Sequence, residues 1–187
     1  MTHLSVEELV KKFETARKAG EHERGNPEQL RLLRELAEDC PAFTPNLLYL
    51  ARLQQVIDQP GRSPEEVFSE IQRLLELAIL GSGRSAPVVL ELGNFLDTFQ
   101  NDPLSAMKLY EEGEQKALAT LEDTWFFKLR YWNLERTKES LEKALRLCVL
   151  VEQIFPEPNT YLEDEIQTTK RLAAREGLLP DPNSSSE

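Results

Sequence analysis

Apolar residues recur at spacings of three and four along most of the chain. After Ser63, the residues Val67, Phe68, Ile71, Leu74, Leu75 and Ala78 form one stripe. After Ser85, Val88, Val89, Leu92, Leu96 and Phe99 form a second, and Leu141, Ala144, Leu145, Cys148, Val151 and Phe155 form a third. Side chains so spaced share one face of an α-helix and bury it against neighbours. Helix starts are marked by a capping residue followed by proline: Asn26-Pro27, Thr44-Pro45, Ser63-Pro64 and Asp102-Pro103. The cap oxygen accepts an orphan backbone N–H, and proline at the first helical position forfeits no hydrogen bond. Capping boxes are expected at Ser5 with Glu8, Ser63 with Glu66 and Thr160 with Glu163, and Ser85 opens a further helix. These signals predict nine helices, over 5–19, 27–40, 45–58, 64–80, 86–100, 103–119, 124–135, 138–155 and 160–176. The connections between them are short, which makes neighbours antiparallel. The expectation is an all-α fold of helical hairpins in one domain, 1–177, followed by a disordered tail, 178–187.

The helix starts keep a loose period. Pro27, Pro64 and Pro103 stand 37 and 39 residues apart, a spacing of two helices per unit that marks helical solenoids. The segment APVVLELGNFLDTFQNDPLSAMKLYEEGEQKAL resembles a tetratricopeptide repeat. Leu92-Gly93 stands where the family has a Leu-Gly pair at a close helix contact. Ala106, Tyr110 and Gly113 stand at its small, aromatic and small positions, with one extra residue in the turn. A second segment ends at Pro156 and carries Ala144, Cys148 and Val151, but has Trp132 where a small residue is expected; a third surrounds Leu50-Ala51. The resemblance covers about residues 44–156, while the first helix pair matches no consensus. It implies a right-handed superhelix of antiparallel helix pairs, a TPR-like α-solenoid.

In that family the first helix of each pair lines a concave groove. With Ala51, Gly93 and Trp132 taken as equivalent, the groove positions become Leu48, Leu90 and Leu129, then Arg52, Asn94 and Asn133, then Gln55, Asp97 and Arg136. An apolar row then runs beside a polar one, and amide and guanidinium groups can bond the backbone of an extended peptide. The family's carboxylate clamp also uses Asn here, but its accompanying lysines are missing, so carboxylate specificity is not expected. The other reading makes the three leucines core and the polar row solvated. A second surface is Trp125, Phe126, Phe127, Tyr131 and Trp132: five aromatics in eight residues exceed what one helix face buries, and Trp and Tyr favour interfaces. It is either covered by the next helix or available for a homodimer contact or a partner pocket.

Composition narrows the function. Acidic residues number 33 and basic residues 22, a net charge of −11, which argues against nucleic acid and anionic membrane as partners. The N-terminus has no apolar signal core, and no apolar run approaches the roughly 20 residues of a membrane span; a cytoplasmic location is expected. The basic residues between Lys11 and Arg34 alternate with acids and read as a salt-bridged surface. His3 and His22, the two histidines, have no metal-ligand spacing, and Cys40 and Cys148 have neither partner spacing nor an adjacent base, which suggests buried structural thiols. GSGRSAP follows a helix and lacks the phosphate-loop pattern. The sequence thus points to no catalytic group, metal or cofactor. The first reading is a non-catalytic scaffold, adaptor or chaperone that binds protein or peptide. The alternatives are a self-associating structural protein and a regulatory helical domain holding a small apolar ligand among Phe95, Phe99, Tyr110 and Phe127.

Overall fold

The computed structural model describes residues 4–179. Among these the chain is all-helical: α1 (Val6–Ala19), α2 (Pro27–Asp39), α3 (Thr44–Gln54), α4 (Pro64–Gly81), α5 (Ala86–Gln100), α6 (Pro103–Glu135), α7 (Lys138–Ile154) and α8 (Thr160–Arg175). Most of the tail expected to be disordered, 180–187, lies outside the described residues, as does His3. Leu178, its first residue, is tied down: Gly177 turns at φ 70° and the Leu178 N–H donates to Ala173 O at 2.9 Å, closing α8 by satisfying an orphan carbonyl.

Local chemistry sets most of the helix starts. The Ser5–Glu8 and Ser63–Glu66 capping boxes both form, and Asn26 and Asp102 cap α2 and α6 by accepting from Gln29 N–H at 2.9 Å and Ser105 N–H at 3.1 Å. Three expectations change. Thr44 does not cap α3: Phe43 precedes the helix and gives no side-chain bond. Asn159 displaces the expected Thr160 box, since its Oδ1 accepts from Leu162 N–H at 3.0 Å. The predicted helices 103–119 and 124–135 are one helix, α6, so the count is eight among the described residues rather than nine. Thr124 is the expected new start, but its hydroxyl donates to Thr120 O one turn back at 2.8 Å. A threonine bonded this way stays inside a helix. Thr137 forms a further box with Ser140, which the S/T-x-x-E pattern does not mark.

The chain divides into two compact units, one ending at Lys116 and one beginning at Ala117, with the division inside α6. In the first unit α1 packs on α2, α2 on α3, α3 on α4 and α4 on α5. Its core gathers Leu33, Leu47, Leu50, Leu53, Ile71, Leu74, Leu75 and Phe95. Each such side chain contributes about 1.5–3 kcal/mol by leaving water. Phe95 stacks on Phe99 with centroids 5.7 Å apart and meets Phe68 edge-on at 6.2 Å. The α4 residue Glu70 takes hydrogen bonds from Arg34 and Arg62. Burial works to raise its pKa, but those bonds outweigh it and hold the carboxyl below the usual range. In the N-terminal surface Lys12 pairs with Asp39 at 2.7 Å, and Arg31 with Glu28 at 2.7 Å and Glu35 at 2.5 Å.

The second unit packs α7 on α8 and closes around Leu129, Ala144, Leu147, Cys148, Val151, Leu162 and Ile166. Cys148 is buried there, and burial pushes its thiol up. Cys40, expected to be buried, is only half-buried at the end of α2. A thiol reagent should therefore label Cys40 readily in the native protein and Cys148 only under denaturant, because burial both raises the Cys148 thiol and shields it from the reagent. Mass spectrometry of tryptic peptides counts the labels; rapid native labelling of Cys148 would contradict the packing.

Candidate partner-binding site

The segment resembling a tetratricopeptide repeat forms the close contacts that its small residues imply. A methyl group on Gly93 of α5 would lie 2.8 Å from Tyr110 Cε1 on α6, and one on Gly113 would lie 2.8 Å from Leu90 Cδ2. A side chain at either position would force Tyr110 or Leu90 to shift. Ala106 is fully buried in the same unit. Burial first, then the negative charge of Asp97, holds the Tyr110 phenol above its usual range.

In the first unit the expected groove positions fall on the faces of α3 and α5. Leu48 and Gln55 are half-buried, and Arg52, Asn94 and Asp97 are exposed. Leu90 is 40% exposed while leaning over Gly113. Arg52 reaches from α3 to α5, its Nη2 2.6 Å from Glu91 Oε2. That bridge ties the two helices together at Arg52 and Glu91. Glu91 was not expected here. It stands 39 positions from Arg52, a separation that no local periodicity can read.

In the second unit two of the three expected groove residues are structural instead. Leu129 is fully buried in the core between α6, α7 and α8. Asn133 is 5% exposed. Its Nδ2 donates to Glu165 O at 3.1 Å and Glu165 Oε2 at 2.8 Å, and its Oδ1 accepts from Thr169 Oγ1 at 2.9 Å. With its polar atoms spent on α8, Asn133 has nothing to offer a peptide. Arg136 is exposed and lines a cleft between α6 and α8.

The aromatic segment is split. Trp125, Phe126 and Trp132 are half-buried against the second core; Trp125 meets Phe155 edge-on at 5.6 Å. Phe127 and Tyr131 are 62% and 63% exposed. Of the aromatic residues expected to surround a small apolar ligand, Phe95 and Phe99 pack against Phe68 in the first unit, and Phe127 of the second unit is exposed. Among the described residues no group of three His, Cys, Asp or Glu could hold a metal ion. No helix among them is long and apolar enough to cross a membrane.

Comparison with known proteins adds to this geometry. The sequence pattern of the Myxococcota tetratricopeptide repeat protein family matches residues 1–83, a stretch that includes the first helix pair, in which no consensus was legible. The chain is also similar to an uncharacterized 18.1 kDa protein in the carS 3' region of Myxococcus xanthus, with 34% identity over 154 residues, 82% of this chain and 87% of that protein. No solved structure matches the chain.

Proposed function

We propose that this chain, which belongs to the Myxococcota tetratricopeptide repeat protein family, is a non-catalytic cytoplasmic scaffold that holds a protein or peptide partner on the α3 and α5 faces of its first unit. The observation that carries this reading is the row of exposed polar groups on those faces, with Arg52 bridged to Glu91 and Asn94 beside it. Leu48 and Leu90 give an apolar strip one turn away. An extended peptide would bond its backbone to the amide and guanidinium groups and set side chains on the leucines. Tetratricopeptide repeats mediate protein interactions, and an adaptor or chaperone role follows if the partner is a folding client or a second binding protein.

Peptides selected from a random library on the wild-type chain provide the test. The double substitution Arg52→Ala with Asn94→Ala should weaken them by roughly tenfold, since a hydrogen bond to a charged group is worth about 1.5–3 kcal/mol. Helicity by circular dichroism should be unchanged, because both side chains are exposed. Unaltered affinity would move the site off α3 and α5.

The exposure of Phe127 and Tyr131, with Leu134 at 69% and Tyr161 at 74%, favours a second reading: self-association through the second unit. Light scattering across a dilution series decides it. A dimer that persists on dilution supports this reading, and a monomer at all concentrations removes it.

A further inference from the structure

The second unit concentrates positive charge in one place. Arg130 and Arg136 from the end of α6, and Arg171 and Arg175 from the end of α8, line a single cleft of about 270 Å³. All four are exposed, and among the described residues none has a carboxylate within ion-pair distance. The recorded pairs of this unit lie elsewhere, Lys143 with Glu139 and Lys170 with Glu152. Arg171 donates to Thr168 Oγ1 at 3.1 Å. Glu165 is the one acid on the cleft wall, and Asn133 already holds its Oε2. The cleft therefore carries a net positive charge within a chain of net charge −11.

Helix ends account for only half of this cluster. A cation at a helix C-terminus gains about 0.3–1 kcal/mol, and the effect fades beyond the last turn. Arg136 and Arg175 stand at the C-termini of α6 and α8, but Arg130 and Arg171 precede the last turns. Four guanidiniums around one cleft repel each other until an anion joins them. The shape of the cleft narrows which anion. Arg171 and Arg175 stand one turn apart, about 6 Å along α8. Carboxylates on alternate residues of an extended peptide stand about 6.6 Å apart. Between the arginines lie Leu134 and half-buried Leu172. They match the methylene stems of glutamates, which a free phosphate lacks.

We propose that this cleft binds an acidic peptide segment of a partner, with glutamates on alternate residues paired to Arg171, Arg175 and the α6 arginines. The proposal rests on the reading of the chain as a partner-binding scaffold, but not on the α3 and α5 faces. Arginine suits the task because its planar fork takes a carboxylate in two parallel hydrogen bonds. At physiological salt the acidic residues elsewhere are screened beyond about 8 Å, so the local charge decides.

The experiment uses the full chain and a fluorescent peptide alternating Glu and Ser, read by anisotropy at physiological salt. Saturable binding is expected, with no binding of the matching peptide that carries Gln for Glu. Arg171→Gln with Arg175→Gln should lose roughly tenfold or more, and Arg171→Lys with Arg175→Lys should recover part of that loss. Arg52→Ala should bind the peptide like wild type, which separates this site from the first-unit faces. Failure of the wild-type chain to bind, equal binding of the Gln peptide, or full affinity in the Gln variant each overturns the proposal and leaves the library test above intact. Displacement of the peptide by inorganic phosphate at concentrations near its own would overturn it in favour of a phosphate site.

Discussion

Leu129→Ala should lower the free energy of unfolding by about 2–5 kcal/mol, while Leu90→Ala should cost less than about 1 kcal/mol. The two leucines occupy the same repeat position, and sequence spacing gives them one role. Their surroundings differ. Leu129 is fully buried among Ala144, Leu147, Cys148, Val151, Leu162 and Ile166, so truncation removes transfer energy and leaves a cavity that a helix-packed core closes only partly. Leu90 is 40% exposed over Gly113, and much of its surface is in water whether the chain is folded or not. Urea denaturation of the two variants beside wild type measures the difference. Equal, small losses would place Leu129 at the surface and return it to the groove.

That contrast shows what the sequence could carry. The stripes through Ile71, Leu74 and Leu75, and through Ala144, Cys148 and Val151, were legible because helical periodicity is a local property; all six are buried. The glycine contacts at Gly93 and Gly113 were legible because close helix approach leaves few alternatives to glycine. Groove membership was not. It depends on whether a later helix covers the face, and α8, which covers Asn133, begins 27 residues further on at Thr160. The break expected near Thr124 failed for a related reason. A threonine reads as a cap or as a helical residue bonded one turn back, and the choice made here, the bond to Thr120 O, has no signature in composition. The arginine cleft was hidden because its members come from two helices whose pairing no repeat register predicts. Of the four arginines, the groove expectation contains Arg136 alone.

Asn133→Asp should destabilise the chain by about 3 kcal/mol or more near neutral pH, and the loss should shrink as the pH falls. The substitution keeps the shape of the side chain and changes only its chemistry. The introduced carboxylate replaces an Nδ2 that now donates to Glu165 Oε2 at 2.8 Å, turning a charge-assisted hydrogen bond into the approach of two negative oxygens. Burial to 5% exposure removes the water that would screen them. Desolvation and the neighbouring Glu165 both raise the introduced group's folded pKa above its unfolded value. The folded state then binds the extra proton more readily, so the penalty is complete above the folded pKa and relieved below it. Asn94→Asp is the matched control, because Asn94 is exposed and should move stability by no more than about 0.5 kcal/mol. Thermal unfolding of both variants across pH 5–8 measures the effect. A penalty at Asn133 that does not change with pH would mean that the carboxylate turns to solvent, and that the Asn133–Glu165–Thr169 bonds do not hold α6 to α8.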